Sequence, residues 1–335
     1  MLLDAKTRDS LVRGALRSLE DEDGYRFYNR FLEEQVLQMP TAENRRMFVG
    51  ESSAGIRLEL SGDFRSFSFA YRLRGFSRAV PGAFDVYENG AFRLHQRLVR
   101  IPGVEDGVFT YRPTEPGRVT VYFPNYGTMG IKDLEVEGSL TPAEERPRLL
   151  ALGDSISQGA FPPMPSQSYV NLMGRLLGAD VLNQACSGFT YRMHPWADID
   201  FQPEVITVAY GSNDWTLGED IDRDSRAFFE RLKARYPEVP TFVMTPVYRE
   251  RVPVPPFAGW DNSRNARGLT LEEHRRIMTE NARAFGYTTV DGLTLMPQNK
   301  AYLQGDYLHP LAGGHEAMGR AMTAILKTAL PELFG

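Results

Sequence analysis

The first half of the chain alternates apolar and polar positions in the pattern of half-buried β-strands. Short runs rich in β-branched and aromatic residues recur at nearly regular spacing between about residues 48 and 138. Asn89-Gly90 lies between two of these runs and favours a hairpin turn, because both residues tolerate positive φ. The pattern predicts a β-sandwich of the jelly-roll kind after a helical lead-in over residues 4–20. The predicted strands are 55–60, 67–73, 83–88, 91–99, 107–113 and 118–124.

The second half of the chain follows a different period. Beyond a polar, proline-bearing segment at 141–147, short continuous apolar runs alternate with amphipathic stretches such as the one that places Phe228, Leu232 and Tyr236 on one helix face. This alternation is typical of a parallel sheet covered by helices on both sides. We therefore expect two domains, at 1–140 and 147–335. The predicted strands are 148–153, 180–185, 204–211, 241–246 and 287–292, and the predicted helices are 166–178, 221–236, 270–285 and 313–329.

The bulk composition agrees with a two-domain globular protein. The chain has 335 residues, of which 42% are hydrophobic and 24% charged, and this length is generous for a single core. The net charge of −5 is small and spread along the chain, so no nucleic-acid partner is expected. No apolar stretch approaches the roughly 18 residues that a membrane span requires, so no membrane partner is expected either.

The number and spacing of the cysteine and histidine residues bear on the cellular compartment and on metal binding. Cys186 is the only cysteine, which excludes an intrachain disulfide, and the first residues lack the features of an export signal. We therefore expect a cytoplasmic protein. His309 and His315 are six positions apart and would not share a helix face, so we predict no metal site and no cofactor. The sequence leaves open whether the chain forms a homo-oligomer.

Small polar residues follow several predicted strands of the second half. In a parallel α/β sheet, ligands bind at the carboxyl ends of the strands, and these ends share one edge. We therefore expect the loops after the first, second, third and fifth strands to meet there. The residues concerned are Gly153-Asp154-Ser155, Ser187-Gly188, Gly211-Ser212-Asn213-Asp214 and Asp306-Tyr307-Leu308-His309.

Together these loops hold the residue types that acyl transfer needs. A serine such as Ser155 becomes a nucleophile at neutral pH when a base takes its proton, and histidine titrates in the right range. His309 is the candidate base, and Asp306, three positions earlier, can accept a hydrogen bond from its second ring nitrogen. The oxyanion that forms needs donors, for which the N–H of Ser155, the N–H of Gly188 and the amide of Asn213 are candidates.

The four blocks resemble, in order, those of the SGNH or GDSL hydrolases. The resemblance covers about residues 147–331 and rests on four matches. They are Gly-Asp-Ser at 153–155, a glycine at 188, Gly-x-Asn-Asp at 211–214 and Asp-x-x-His-Pro at 306–310. The resemblance implies a flavodoxin-like five-stranded parallel sheet with strand order 2-1-3-4-5. It also implies ester hydrolysis through an acyl-enzyme on Ser155, with the other residues in the roles given above.

The order of the two halves suggests a substrate class. A β-rich first half joined to such a second half resembles carbohydrate acetyl esterases with an N-terminal β-sandwich, which implies removal of small acyl groups, acetyl above all, from sugars. Trp215, Tyr248 and Trp260 are candidates for the substrate pocket because aromatic rings commonly bind sugars. His194 is a further candidate because it follows Gly188 closely in the chain.

Three alternatives stay open at this point. The same catalytic residues serve lysophospholipases and thioesterases, although the polar, arginine-bearing segment 247–269 argues against a long apolar trough. A carbohydrate-binding protein with an inactive hydrolase domain is disfavoured by the intact set of Ser155, Asp306 and His309. The β-rich half, finally, could complete the enzyme without touching sugar.

Overall fold

The computed structural model describes residues 1–39, 51–74, 82–98, 106–250 and 264–335. An antiparallel β-sandwich forms the N-terminal half, and a parallel α/β sheet with its helices forms the C-terminal half. This architecture confirms the predicted fold class. Among the described residues, no helix combines the length and the apolar character needed to cross a bilayer.

The N-terminal half is built around one long strand, β4, which takes part in both layers of the sandwich. Its first part pairs with β1 and β8, and its second part pairs with β7 and β9, all antiparallel. The layers are therefore β1-β4-β8-β5-β6 and β2-β3-β9-β4-β7. The strands are β1 (Val12–Arg13), β2 (Arg17–Glu20), β3 (Arg26–Asn29), β4 (Arg57–Arg74), β5 (Ala83–Glu88), β6 (Ala91–Arg97), β7 (Asp106–Tyr111), β8 (Gly117–Tyr122) and β9 (Thr128–Leu140).

Strand β4 changes partners at Gly62. Its φ is +144°, a conformation that disfavours other residues, and a Cβ there would come within 2.2 Å of the Ser139 carbonyl oxygen. Aromatic rings fill the space between the layers. Phe84 of β5 packs against Phe69 of β4 and Phe109 of β7, with ring centroids 5.7 and 5.0 Å apart. These rings form an aromatic cluster within the sandwich core.

The helical lead-in is shorter than the sequence predicts. Helix α1 covers only Ala5–Ser10, and a second short helix, α2, covers Glu33–Gln38. The chain turns at Gly14, where φ is +78°, and β2 then pairs with β3. Residues 17–20 are strand because a neighbouring strand is available to them, a contact that local periodicity does not report.

The C-terminal half contains five parallel strands in the order β11-β10-β12-β13-β14. In chain order this is 2-1-3-4-5, which confirms the expected topology. The strands are β10 (Arg148–Gly153), β11 (Asp180–Asn183), β12 (Val205–Ala209), β13 (Thr241–Met244) and β14 (Thr288–Val290). The helices are α3 (Ser155–Gln158), α4 (Tyr169–Leu177), α5 (Ser212–Leu217), α6 (Ile221–Arg235), α7 (Leu271–Ala284), α8 (Ala312–Ala329) and α9 (Pro331–Phe334).

Helices cover both faces of this sheet. Leu150 and Leu152 of β10 point into a core shared with α6 and α7, whereas Leu149 and Ala151 point into one shared with α4 and α8. Because successive side chains of a strand alternate between faces, burial of both faces produces the continuous apolar run seen in the sequence.

Polar contacts join the two halves. Arg57 of β4 is buried and donates to Glu59 at 2.7 Å and, in the C-terminal half, to Asp180 at 2.9 Å. Asp85 of β5 accepts a hydrogen bond from the backbone N–H of Ser166 at 2.8 Å. The sandwich is thus packed directly against the C-terminal half.

Candidate active site

Ser155 lies at the carboxyl edge of the parallel sheet, where β10 passes into α3. Strand β10 ends at Gly153, and Ser155 is the first residue of the helix. Asp154 caps this helix by accepting a hydrogen bond from the N–H of Ile156 at 3.1 Å. The cap is therefore the aspartate, and the serine hydroxyl is left to face the neighbouring loops, with 9% of the residue exposed.

The structure brings together Ser155, His309 and Asp306, which are up to 154 positions apart in the chain. Ser155 Oγ is 2.7 Å from His309 Nε2, and His309 Nδ1 is 2.5 Å from Asp306 Oδ2. Asp306 Oδ1 also accepts the backbone N–H groups of Leu308 and His309, each at 3.0 Å. A continuous hydrogen-bonded chain thus runs from the carboxylate to the serine hydroxyl.

The loop around Asp306 supports a negatively charged carboxylate. Burial alone would raise the pKa of Asp306, but the hydrogen bonds and charge of His309 and the N–H of Leu308 outweigh burial and lower it. Tyr307 adopts a φ of +60°, which turns the loop so that Asp306 and His309 face each other. The geometry is that of a histidine base, His309, oriented by the carboxylate of Asp306.

Phe161 is a neighbour of the histidine that the sequence did not reveal. Its ring packs against the imidazole of His309, with centroids 4.9 Å apart. Its φ of +72° is uncommon for a bulky residue, a type of backbone strain that clusters at functional sites. Phe161 precedes two prolines in a segment without helical or strand periodicity, so no sequence pattern marked it.

Asn213, in the first turn of α5, lies beside the loop that carries Gly188. Gly188, in the loop after β11, has a φ of +80°, and the next residue, Phe189, accepts a hydrogen bond from Asn213 Nδ2 at 2.9 Å. The amide of Asn213 carries two N–H groups, and the second is the candidate donor to a substrate oxygen. Together with the N–H of Ser155, this juxtaposition can accommodate an oxyanion.

Two further carboxylates at this edge are buried. Burial raises the pKa of Asp154 to about 6 and that of Asp214 to about 7. Asp214 accepts the backbone N–H groups of Gly211 and Tyr191 at 3.0 and 3.1 Å. It therefore connects the loop after β12 to the one that follows Gly188, which is a bracing role.

Arg249 is a buried cation near the carboxylates of Asp154 and Asp306, and no sequence pattern indicated it. Only 8% of the residue is exposed, and burial lowers its pKa to about 10, although Asp154 and Asp306 counteract this. The guanidinium lies 4.9 Å above the ring of Trp215 and donates to Thr216 Oγ1 at 3.3 Å. It therefore remains protonated at neutral pH and contributes positive charge to this edge of the sheet.

Of the pocket candidates, Trp215 packs against this arginine, and Tyr248 directly precedes it in the chain. Trp215 is only 2% exposed, and its Nε1–H donates to the carbonyl oxygen of Leu269 at 3.3 Å. Tyr248 is partly buried, donates its hydroxyl hydrogen bond to Glu250, and borders a groove of about 630 Å³ together with Arg275. Tyr248 is thus the one of the two that borders open space.

The other two pocket candidates are His194 and Trp260. His194 is buried, its Nδ1 lies 3.0 Å from the hydroxyl of Tyr210, and its ring packs against Trp196 and Phe228. Burial lowers its pKa to about 3, so it stays neutral. The structure does not place it in the hydrogen-bonded group of Ser155, His309 and Asp306, and we assign it to packing. Trp260 lies outside the described residues.

Within the described ranges, no cluster of three or more histidine, cysteine, aspartate or glutamate side chains could hold a metal ion. Cys186 is buried between β11 and Gly188, and burial raises the pKa of its thiol to about 11. The nucleophile that stands in contact with a base is therefore Ser155.

Residues 151–317 match the family described as GDSL-like lipase/acylhydrolase. Among proteins of curated function, none matches the sequence of this chain. Three solved structures share its two-domain fold at 15–18% identity. The salicylyl-acyltransferase SsfX3 from a tetracycline biosynthetic pathway superposes with a TM-score of 0.72 over 96% of this chain and 94% of its own.

The other two structures are carbohydrate-active esterases. A family two carbohydrate esterase from Clostridium thermocellum, in complex with cellohexaose, has a TM-score of 0.61 over 83% of this chain and 93% of its own. An acetyl xylan esterase from the rumen bacterium Butyrivibrio proteoclasticus has a TM-score of 0.57 over 85% and 92%. At such low identity these likenesses establish the fold. The family match establishes more: residues 151–317 form a domain of the GDSL-like lipase/acylhydrolase family.

Proposed function

We propose that this chain is a serine esterase that removes small acyl groups, acetyl above all, from carbohydrates by way of an acyl-enzyme on Ser155. The observation that carries the proposal is the 2.7 Å contact between Ser155 Oγ and His309 Nε2, with Asp306 on the far nitrogen of the ring. This is the arrangement in which a histidine can accept the serine proton.

In the acylation half, Ser155 Oγ attacks the ester carbonyl carbon while its proton passes to His309 Nε2. Asp306 accepts the Nδ1–H throughout, which holds the productive tautomer and stabilises the imidazolium. The carbonyl oxygen becomes an oxyanion and accepts hydrogen bonds from the N–H groups of Ser155 and Gly188 and from the amide of Asn213. Collapse of the intermediate breaks the bond to the alcohol oxygen. This oxygen takes the proton from His309, and the alcohol leaves.

In the deacylation half, water attacks the carbonyl carbon of the acyl-enzyme. His309 removes a proton from this water, and the same donors bind the second oxyanion. When the bond to Ser155 Oγ breaks, the proton on His309 passes to that oxygen, and the carboxylic acid leaves. One water is consumed, and the enzyme returns to its starting state.

Acyl-chain length separates the proposed function from a lipase-like one. We expect kcat/KM for p-nitrophenyl esters to fall at least about ten-fold from acetate to octanoate, because a small pocket rejects added methylenes. The comparison keeps the leaving group constant, so it reports the acyl site alone. A preference for octanoate would contradict the proposal and favour the lysophospholipase or thioesterase alternative.

The carbohydrate part of the proposal is supported by the two-domain likeness to the carbohydrate esterases. It is tested with acetylated xylo- and cello-oligosaccharides, with released acetate as the readout. We expect acetate release from at least one of these at a higher kcat/KM than from p-nitrophenyl acetate. Inactivity on all of them would exclude acetylated xylo- and cello-oligosaccharides as substrates without affecting the ester chemistry.

Acyl transfer to another hydroxyl is the second candidate, and the likeness to the salicylyl-acyltransferase favours it. An acyl-enzyme can be attacked by an acceptor alcohol in place of water, with the same base and donors. With p-nitrophenyl acetate and an added alcohol, hydrolysis yields acetate equal to the p-nitrophenol released. Formation of the new acetate ester in excess of free acetate would identify a transferase.

A further inference from the structure

The N-terminal half contacts the loop that carries Gly188. Arg30, between β3 and α2, is fully buried, and its guanidinium donates to the carbonyl oxygens of Asn183 and Ala185 at 2.8 and 2.5 Å. The same side chain donates to the carbonyl and hydroxyl oxygens of Ser52, both at 3.0 Å. One buried cation therefore joins the end of β11 and the segment after it to two separate segments of the N-terminal half.

Tyr126, in the loop after β8, contacts the residue that directly precedes Gly188. Its hydroxyl shares a hydrogen bond of 2.6 Å with Ser187 Oγ. The backbone N–H of Ser187 donates to Gln158 Oε1 at 2.8 Å, and Gln158 is the last residue of α3, the helix that begins at Ser155. The tyrosine thus belongs to a network that sets the loop relative to the helix.

We propose that Tyr126 is a positioning residue for the oxyanion hole: its hydroxyl holds Ser187 so that the next N–H, that of Gly188, aims at the substrate oxygen. Glycine at a φ of +80° has many alternative backbone conformations, so an aimed N–H there depends on contacts from its neighbours. The inference rests on the proposed function, because only acyl transfer gives the Gly188 N–H this task. On this basis the N-terminal half completes the catalytic site as well as packing against it.

The proton state of Tyr126 suits this role. Burial raises the pKa of its hydroxyl to about 12, so the group stays neutral and can share a hydrogen bond with Ser187 at any pH at which an esterase is assayed. Loss of that bond would leave the loop in place but allow its peptide groups to move. Small misplacements of this kind lower kcat without abolishing substrate binding.

The test compares Tyr126→Phe with Tyr87→Phe. Tyr87 is a matched control, because its hydroxyl also donates to a serine of the C-terminal half, Ser166 Oγ at 3.3 Å, on the segment between α3 and α4. We expect Y126F to lower kcat for p-nitrophenyl acetate about ten-fold with KM unchanged, less than the ~10²–10³ that removal of an oxyanion donor costs. Y87F should retain the wild-type kcat and KM.

Ser187→Ala breaks the same hydrogen bond from the other side and serves if Y126F does not fold. We expect the same loss of kcat in S187A, and no further loss in the Y126F/S187A double variant, because both changes remove one interaction. The inference is overturned if Y126F keeps the wild-type kcat, if Y87F falls as much as Y126F, or if the two single losses add. Ser155→Ala, assayed in parallel, reports on the proposed function alone.

Discussion

Ser155→Ala is expected to lower kcat for p-nitrophenyl acetate by roughly 10⁴–10⁶-fold, the range measured when the nucleophile of a serine hydrolase is removed. The reason is that no covalent intermediate can form without Oγ, and the remaining donors support only a slow direct attack by water. The overall fold should be unaffected, because Ser155 is not the capping residue of its helix; Asp154 is. The measurement is steady-state hydrolysis together with thermal unfolding.

Ser157→Ala is the matched control for this variant. Ser157 lies in the same helix α3 but bonds to the hydroxyl of Tyr169 at 2.7 Å, away from His309. It should keep most of the activity. If S155A retains activity within a factor of ten of the wild type, or if S157A loses as much as S155A, Ser155 is not the nucleophile and the mechanism proposed above is wrong.

Asp306→Asn should have the next largest effect, about 10⁴-fold in kcat, because it leaves the loop intact and inverts the histidine tautomer. The carbonyl oxygen of asparagine can still accept the two backbone N–H groups at Leu308 and His309. Its NH₂ group would then face His309 Nδ1, which would have to be unprotonated to accept it. The proton would sit on Nε2, where it prevents the ring from taking the proton of Ser155.

Two substitutions at Asp306 distinguish its effect on the tautomer of His309 from its effect on the loop. Hydrolysis by D306N is measured beside D306A, which also removes the acceptor for the two backbone N–H groups. We expect both to lose activity, and D306N to melt at a higher temperature than D306A. A D306N enzyme with nearly wild-type kcat would show that the tautomer of His309 is not set by Asp306.

The predicted residues that the structure brings together share a simple physical basis. The five strands of the C-terminal half are buried on both faces, which made them continuous apolar runs, and parallel strands bring their following loops to one edge. Ser155 and His309 could therefore be expected to meet although 154 positions separate them. The other site residues were predicted from the order of the four motifs along the chain.

The misplaced or missed residues depend on contacts that no local pattern encodes. His194 is close to Gly188 in the chain, but its ring turns into the aromatic core around Phe228. Arg249 was read as part of a polar loop, yet it is buried over Trp215. The hydrogen bond between Tyr126 and Ser187 joins the two halves of the protein, and nothing in either segment alone predicts it.

The prediction of a helical lead-in over residues 4–20 was wrong for a related reason. Residues 4–20 contain enough helix-forming residues to suggest one continuous helix, and α1 does form over Ala5–Ser10. Beyond Gly14, however, the backbone groups of 17–20 are satisfied by pairing with β3, so the sheet determines the conformation there. Propensity is a weak guide wherever a neighbouring strand competes for the same backbone.

Covalent labelling tests most directly whether Ser155 is the nucleophile. Diethyl p-nitrophenyl phosphate carries a phosphorus centre from which Ser155 Oγ would displace p-nitrophenolate while His309 takes the proton, leaving a stable phosphate ester. We predict one diethylphosphoryl group per chain, located on Ser155 by peptide mass spectrometry, with esterase activity lost in proportion to labelling. Full activity with Ser155 labelled, or full inactivation with the label on another residue, would contradict the mechanism.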